Sequence, residues 1–146
     1  VQMGTPLFGV CLGLQLLFEE SEEYGISKGL GFINGSIKRF SNSINNRVIK
    51  VPNIGWNTIN NNNFEKWNNS PLRSLDQNSY MYFVHSYYAQ PTDSKDILAL
   101  TNYEEFEYCS AVKKDNICAF QFHPEKSGKD GLKIYKDIKT IYYDSE

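Results

Sequence analysis

The sequence predicts a mixed α/β domain with more strand than helix. Three observations support this prediction: short apolar segments recur along the chain, a glycine-flanked turn joins the first of them to a helix, and an amphipathic helical pattern closes the chain. The 146 residues suit one domain, and the 40% hydrophobic and 14% aromatic content is enough to build a core.

The first half of the chain is predicted to begin with a strand and a helix. After the strand, Leu12, Leu16 and Leu17 recur near helical spacing. Further strands follow, two of them forming a hairpin around the turn Asn34-Gly35. The asparagine-rich segment 57–69 is interpreted as a solvated loop, because asparagine favours turns. The predicted strands here are residues 6–10, 29–33, 36–40 and 47–51.

The second half is predicted to be mostly β, with a helix at its end. Strands are predicted at 80–84 and 97–101, and residues 108–112 and 117–122 should form a hairpin. Ser127 is a suitable N-cap for the last helix. Its predicted apolar stripe consists of Leu132, Tyr135, Ile138 and Tyr142.

Charge and composition exclude several classes of protein. With 15 basic and 17 acidic side chains, the chain lacks the basic excess of a nucleic-acid-binding surface. No apolar run approaches the roughly 18 residues of a membrane span, and the first residues do not resemble a signal peptide. Three cysteines without a close pair favour reduced thiols and a cytoplasmic location. No CxxC or HxxxH spacing occurs, so we expect no metal and no cofactor.

Cys11 is the candidate nucleophile. It lies between Gly9 and Gly13, at a strand-to-helix turn that would hold the thiol clear of the sheet. The N-terminus of the helix should favour the thiolate, and the N–H of Leu12 is placed to receive an oxyanion. The alternative is a buried cysteine acting as a small apolar side chain, which is our interpretation of Cys109 and Cys118.

His123 is the candidate base. It ends a predicted strand, and Pro124 cannot continue the ladder, so the imidazole should project at the rim of the sheet. Glu125 can return to the imidazole and hold its tautomer, completing a Cys–His–Glu triad. The alternative is a solvated loop histidine beside an exposed glutamate. His85, at the end of another strand, is interpreted as a hydrogen-bonded histidine, with a role beside the substrate as the alternative.

Two segments together resemble the signature of class I (triad-type) glutamine amidotransferases. Three longer segments are similar to one branch of that family, the glutaminase subunits of imidazole glycerol phosphate synthases in histidine biosynthesis. The resemblance runs from Pro6 to the C-terminal helix and implies a flavodoxin-like α/β fold, a mixed sheet flanked by helices. The signature segments are GVCLGLQ (9–15) and FHPE (122–125), and the others are VPNIGWN (51–57), YFVHSYY (82–88) and QFHPEKSG (121–128).

The resemblance also implies roles for individual residues. The protein would hydrolyse glutamine to glutamate and ammonia, with Gln15 and Glu23 holding the α-amino and α-carboxylate groups of the substrate. The backbone of Ser86 and Tyr87 would lie along the substrate. The segment of Trp56, together with Lys126, would face a (β/α)8-barrel cyclase subunit that receives the ammonia. The alternative for Trp56 is an aromatic residue of the core. The alternative for Gln15 and Glu23 is that they are ordinary polar residues on the surface of a helix.

The region before the nucleophile is shorter than the resemblance implies. Ten residues precede Cys11, whereas the family has further strands and a glycine-rich loop that supplies a second oxyanion N–H. We therefore expect residues 1–146 to be the C-terminal portion of an amidotransferase domain, from the nucleophile elbow to the C-terminal helix, with N-terminal strands missing. Removing one oxyanion donor can lower a rate by about 10²–10³, so we expect weak or no glutaminase activity unless that part is supplied.

Other functions remain open at the level of sequence. A related amidotransferase subunit could feed ammonia to a surface-sugar, anthranilate or nucleotide pathway. A non-catalytic module could retain only the docking surface for a partner. An unrelated cysteine hydrolase could use the same triad on another small polar substrate.

Overall fold

Twelve strands and two α-helices make up residues 4–144, the part of the chain that the computed structural model describes. Three short 3-10 helices accompany them, at Phe64–Trp67, Ser94–Asp96 and Pro124–Lys126. The helices are α1 (Leu12–Leu16) and α2 (Gly128–Tyr142). The strands are β1 (Leu7–Val10), β2 (Phe18–Ser21), β3 (Ser27–Lys28), β4 (Ile33–Arg39), β5 (Ser43–Ile44), β6 (Arg47–Val48), β7 (Asn53–Ile59), β8 (Ser79–His85), β9 (Tyr87–Pro91), β10 (Ile97–Tyr103), β11 (Phe106–Lys114) and β12 (Ile117–Phe120).

A mixed eight-stranded sheet organises the fold. Its strands follow the order β1-β12-β11-β9-β4-β2-β3, and β10 pairs with β11. β1 and β12 run parallel, with Val10 opposite Phe120, and β11 pairs antiparallel with β12 and β10. The antiparallel pairs β7–β8 and β5–β6 form two smaller sheets. The prediction of a mixed α/β fold is confirmed.

Strand β12 of the large sheet is buried on both of its faces. All four residues of β12 are buried, and their side chains alternate between two apolar clusters. Ile117 and Ala119 pack with Leu14 of α1, whereas Cys118 and Phe120 pack on the side of Ile134 in α2. This two-sided burial explains why β12 lacks the apolar–polar alternation of a half-exposed strand.

Several predicted elements are confirmed. The first strand, the strands at 80–84 and 97–101, the hairpin of β11 and β12 and the C-terminal helix all lie close to their predicted bounds. Cys109 and Cys118 are buried in the core, as predicted, and all three cysteines are free.

The helix after Cys11 is much shorter than predicted. α1 ends at Leu16, and Phe18 begins strand β2, where it is fully buried opposite Ile33. Leu12 and Leu16 are more than half exposed, at 56% and 51%, so their helical spacing does not mark a buried face. Pairing with β4 buries Phe18 and Ile33 and outweighs the local helical preference.

The predicted hairpin at Asn34-Gly35 is wrong. Residues 33–39 form the continuous strand β4, and Gly35 lies inside it at φ +130°. Between the pairs Phe18–Ile33 and Glu20–Ser36, β4 contains one more residue than β2, so the Asn-Gly pair forms a bulge instead of a turn. A Cβ on Gly35 would clash with the carbonyl oxygen of Gln90 on the neighbouring strand, so only glycine fits here.

The asparagine-rich segment is only partly a solvated loop. Its start belongs to β7, and Trp67 within it is fully buried, with its Nε1 donating to the Leu98 carbonyl oxygen at 2.7 Å. The strand predicted at residues 47–51 is also shorter, because β6 ends at Val48, which is 92% exposed. The asparagine content of the segment therefore does not predict that Trp67 within it is buried in the core.

The C-terminal helix packs on a face that matches the predicted stripe only in part: Ile138 packs against the core and Tyr142 packs edge-on against Phe8. Leu132 and Tyr135 are 60% and 42% exposed, whereas Gly131, Ile134 and Asp137 are buried. The backbone of Pro124 comes so close that a Cβ on Gly131 would clash with its carbonyl oxygen. Asp137 is buried because its carboxylate accepts hydrogen bonds from Arg73 and Ser74, a polar contact that an apolar stripe cannot predict.

Ser127 precedes α2 but does not cap it through its side chain. Its hydroxyl instead donates to the His123 carbonyl oxygen at 2.6 Å and accepts the backbone N–H of Tyr82 at 3.0 Å. Ser127 thus fastens the start of α2 to β8. Within residues 4–144, neither α-helix is long and apolar enough to cross a membrane.

We predict that Trp67→Ala lowers the free energy of unfolding by about 3–5 kcal/mol, because it removes a fully buried indole and its hydrogen bond. The matched control is Phe64→Ala, which removes a ring that is 44% exposed and should cost clearly less. Urea denaturation measures both. Equal losses in the two variants would contradict the anchoring role of Trp67.

Candidate active site

Cys11 lies at a sharp elbow between β1 and α1. Its N–H donates to the Phe120 carbonyl oxygen at 2.7 Å, which ties the elbow to the neighbouring strand β12. Its backbone has φ +53° and ψ −107°, a region that costs a non-glycine residue on the order of 1–3 kcal/mol. A Cβ on Gly9 would lie 2.8 Å from the carbonyl carbon of Gly13, so the turn requires glycine there, whereas Gly13 itself faces open space.

The Cys11 thiol lies between an acceptor and a donor. Its Sγ is 3.9 Å from the Val84 carbonyl oxygen and 3.7 Å from Nε2 of Gln121. Burial raises the pKa of the Cys11 thiol above its ordinary value, and the Leu12 N–H opposes that rise. The expected preference for thiolate is therefore wrong for this arrangement: α1 has only five residues, and desolvation outweighs its N-terminal N–H.

His123 and Glu125 form a hydrogen-bonded pair after β12. Nδ1 of His123 lies 2.6 Å from Oε1 of Glu125, and the backbone N–H of His123 donates to the Tyr82 carbonyl oxygen. With Nδ1 donating to the carboxylate, the lone pair of the neutral ring resides on Nε2. Nε2 is buried and has no hydrogen-bond partner among residues 4–144, so it is available to take a proton.

An open pocket of about 230 Å³ brings together six residues to which the sequence analysis assigned a role at the site. Val84 and His85 complete its lining. Gln15 is anchored there through its Nε2, which donates to the Tyr87 carbonyl oxygen at 3.2 Å and to Oε1 of Gln121 at 3.0 Å. The six residues are Cys11, Leu12, Gln15, Glu23, Ser86 and Tyr87.

Hydrogen bonds within the protein determine what this pocket can offer a ligand. The Ser86 carbonyl oxygen accepts the N–H of Phe40, and the Tyr87 carbonyl oxygen accepts from Gln15 and His85. The Gln15 amide uses its NH₂ group internally, so its Oε1 is the atom left for a ligand. The Glu23 carboxylate makes no hydrogen bond or ion pair with another side chain of residues 4–144, and it lines the pocket as a second acceptor.

His85 is a buried, neutral histidine, in agreement with its interpretation as a hydrogen-bonded group. Nδ1 lies 2.7 Å from the Tyr87 carbonyl oxygen and must donate, which leaves Nε2 to accept from the Tyr108 hydroxyl at 3.1 Å. Asn53 donates to the same hydroxyl at 3.3 Å. Burial lowers the pKa of His85 to about 4, and burial likewise raises the pKa of Tyr108.

Trp56 and Lys126 lie outside the pocket and meet at Tyr82. The Trp56 ring packs edge-on against Tyr82, with 5.9 Å between ring centroids, and Nζ of Lys126 lies 5.9 Å from the Tyr82 centroid. Trp56 is 53% exposed, which contradicts the alternative of a core aromatic. Among residues 4–144, no cluster of His, Cys, Asp and Glu is arranged to hold a metal ion.

Sequence reasoning missed three residues of this region: Gln121, Tyr82 and Tyr108. Gln121 is fully buried and touches the sulfur, yet the sequence marks it only as part of a motif. Its position two residues before the strand-end histidine was the available signal. Tyr82 likewise stood only within a motif segment, and Tyr108 carried no signal, because strand pairing between distant segments brings their partners to them.

The buried His85 makes stability depend on pH. Because the pKa of His85 falls from 6.5 to about 4 on folding, protonation favours the unfolded chain. Its contribution is complete above about pH 6.5 and is lost as the pH falls toward 4, with a loss on the order of 3 kcal/mol. Urea denaturation of His85→Gln should show a weaker pH dependence over this range. The control Gln90→Asn, an exchange of uncharged amides at an exposed position, should keep the wild-type dependence, and an unchanged dependence in His85→Gln would contradict the assignment.

The chain matches a known protein family over most of its length. The family model for "Glutamine amidotransferase class-I" matches residues 1–138. The chain is similar to imidazole glycerol phosphate synthase subunit HisH of Syntrophotalea carbinolica, with 44% identity over 94% of this chain and 66% of the relative. For HisH of Sulfurimonas denitrificans the values are 47% identity, 91% of this chain and 61% of the relative. The chain therefore spans slightly less than two thirds of the length of these curated relatives.

Solved structures share the fold at low sequence identity. A putative GMP synthase component from Thermoplasma acidophilum superposes with a TM-score of 0.61 at 16% identity, over 95% of this chain and 58% of that one. A glutamine amidotransferase from Thermotoga maritima gives a TM-score of 0.56 at 18% identity, over 95% of this chain and 50% of that one. The family match, the fold and the elbow cysteine agree, and the chain belongs to the class I glutamine amidotransferase family.

Proposed function

We propose that the protein is a glutaminase subunit that hydrolyses glutamine to glutamate and ammonia and passes the ammonia to a synthase partner. The observation that carries this proposal is one pocket in which the elbow thiol of Cys11 faces Gln15 and Glu23. The similarity to HisH subunits favours imidazole glycerol phosphate formation in histidine biosynthesis as the pathway. The three free thiols suit the reducing cytoplasm, where we place the protein.

The pocket suits a small amino acid. Its volume of about 230 Å³ lies below the range of roughly 300–1,000 Å³ for larger ligands. Oε1 of Gln15 and the Glu23 carboxylate both accept hydrogen bonds, which matches the α-ammonium group of glutamine but not its α-carboxylate, the second group that the resemblance assigned to them. The Ser86–Tyr87 segment lines the same pocket and would lie along the rest of the bound glutamine.

The chemistry would proceed through a thioester. Nε2 of His123 takes the thiol proton of Cys11, and the sulfur attacks the side-chain amide carbon of glutamine. The N–H of Leu12 would face the developing oxyanion, and the imidazolium then protonates the amide nitrogen, which leaves as ammonia when the C–N bond breaks. Water hydrolyses the thioester, while Glu125 holds Nδ1 of His123 and keeps the ring oriented throughout.

His123 is needed because the thiol does not ionise readily by itself. Burial raises the pKa of Cys11, and the negative charge of Glu125 adds to that effect. Nε2 of His123 has no hydrogen-bond partner among the described residues, so it would be free to remove the proton during attack. The site therefore couples deprotonation to substrate binding and does not depend on a free thiolate.

An exposed aromatic face on the β7–β8 pair would receive the synthase partner, which we propose is a (β/α)8-barrel cyclase subunit. Ile54, Trp56 and Tyr80 on this face are each more than half exposed, and Lys126 lies over Tyr82 beside them. Such apolar exposure marks interaction surfaces. β8 also carries Val84, whose carbonyl oxygen faces the Cys11 sulfur, so ammonia would be released beside the docked partner.

We predict that Cys11→Ser abolishes covalent labelling by a diazoketone analogue of glutamine, because the label needs the thiol nucleophile. The matched control Cys118→Ala removes a buried core thiol and should still be labelled. Mass spectrometry of each protein, in complex with its cyclase subunit, detects the added group. Labelling that survives in Cys11→Ser would refute the nucleophile and the glutaminase proposal with it.

We predict that Trp56→Ala weakens binding of the cyclase subunit by about 30-fold or more, the loss of about 2 kcal/mol expected for an exposed aromatic anchor. Calorimetric titration measures the affinity. Tyr143→Ala is the control, since Tyr143 is 62% exposed but lies at the far end of α2. Equal affinities in the two variants would place the partner on another face.

A further inference from the structure

Gln121 occupies a position where packing alone does not require an amide. It follows β12 and is fully buried, and its backbone N–H already donates to the Ser110 carbonyl oxygen. A buried amide loses its hydrogen bonds to water and stabilises the fold only if the protein replaces them. Here the replacements are two functional groups: Nε2 points to the Cys11 sulfur, and Oε1 accepts from Gln15.

The hydrogen-bond partners that stabilise the Cys11 sulfur change when it loses its proton. As a thiol it can donate to the Val84 carbonyl oxygen, a contact that has no value once the S–H bond is broken. When the proton moves to His123, the electron pair stays on sulfur, and a negatively charged sulfur requires donors. The Gln121 amide is the side-chain donor in reach among residues 4–144, and the Leu12 N–H is the backbone donor.

Gln15 keeps the donor end of Gln121 turned toward the sulfur. An amide can rotate by half a turn and exchange its oxygen and nitrogen. Because Nε2 of Gln15 donates to the Tyr87 carbonyl oxygen and also to Oε1 of Gln121, the oxygen of Gln121 must face Gln15. The NH₂ group of Gln121 is thereby left to face Cys11.

We propose that Gln121 is a further catalytic residue, which donates a hydrogen bond to the Cys11 sulfur as the thiolate forms. The role of this hydrogen bond in turnover rests on the proposed glutaminase function. It extends the site from the nucleophile and base to a buried amide that links the sulfur to the substrate-facing Gln15. The charged groups that act on the sulfur are Glu125, which opposes the thiolate, and Lys126, which favours it.

The test compares Gln121→Met with the wild-type protein. Methionine has a similar length but no N–H group, so the thiolate loses its side-chain donor. The rate of Cys11 alkylation by iodoacetamide is followed between about pH 6 and pH 11 by peptide mass spectrometry. We expect the midpoint of the pH profile to rise by about one unit, which corresponds to alkylation about tenfold slower at pH 8.

The control is Gln90→Met, the same exchange at an exposed position of β9, which should leave the midpoint where it is in the wild type. Cys109 and Cys118 do not interfere, because burial raises the pKa of each thiol to about 12. An unchanged midpoint in folded Gln121→Met overturns the proposal.

A second variant covers the case in which Gln121→Met does not fold. Gln121→Leu likewise removes the N–H group and adds no charge that would itself shift the midpoint. A raised midpoint supports the proposal, and a midpoint equal to that of the wild type overturns it. Alkylation requires neither glutamine nor the partner, so it tests the hydrogen bond independently of turnover. If the midpoint rises in Gln121→Met but the glutamine analogue does not label the wild-type protein, the glutaminase function is refuted and the hydrogen bond to the sulfur is not.

Discussion

The parallel pairing of β1 with β12 is the interaction on which the candidate site depends. It sets Val10 opposite Phe120, so that Cys11 and the segment from Gln121 to His123 leave the sheet at the same edge. The N–H of Cys11 donates across this pair to Phe120, which ties the strained elbow to the strand that carries the base. Burial of β12 on both faces makes the register strongly specified, since a shift by one residue would move every side chain to the opposite cluster.

A connected set of polar groups surrounds the pocket. The Tyr87 carbonyl oxygen accepts from both Gln15 and His85, and His85 in turn accepts from Tyr108. Each group restricts the orientation of the next, because amides, hydroxyls and neutral imidazoles have distinct donor and acceptor ends. β8 connects this interior to the exposed aromatic face, since its residues alternate between the core and the surface. The pocket and the proposed partner surface therefore share one strand.

Much of the strand content followed from local patterns, and the misses have physical causes. The hairpin of β11 and β12 is joined by a short polar turn, so its two apolar segments are recognisable locally. The strand that follows α1 cannot be recognised locally, because Phe18 is buried by pairing with Ile33, which belongs to β4 and lies beyond β3 in the sequence. Asn34-Gly35 permits both a turn and a bulge, and only the pairing of β4 with β2 and β9 selects the bulge.

Two short motifs identify the residue types of the site and its family: a glycine-flanked cysteine in one, and a strand-end histidine, a proline and a glutamate in the other. Such motifs are sufficient because the chemistry of these side chains is local. The protonation of the thiol and the contacts that support it depend instead on folding. Burial raises the pKa of Cys11, and strand pairing brings Gln121 to its sulfur across 110 residues of chain, a contact that no local sequence pattern can predict.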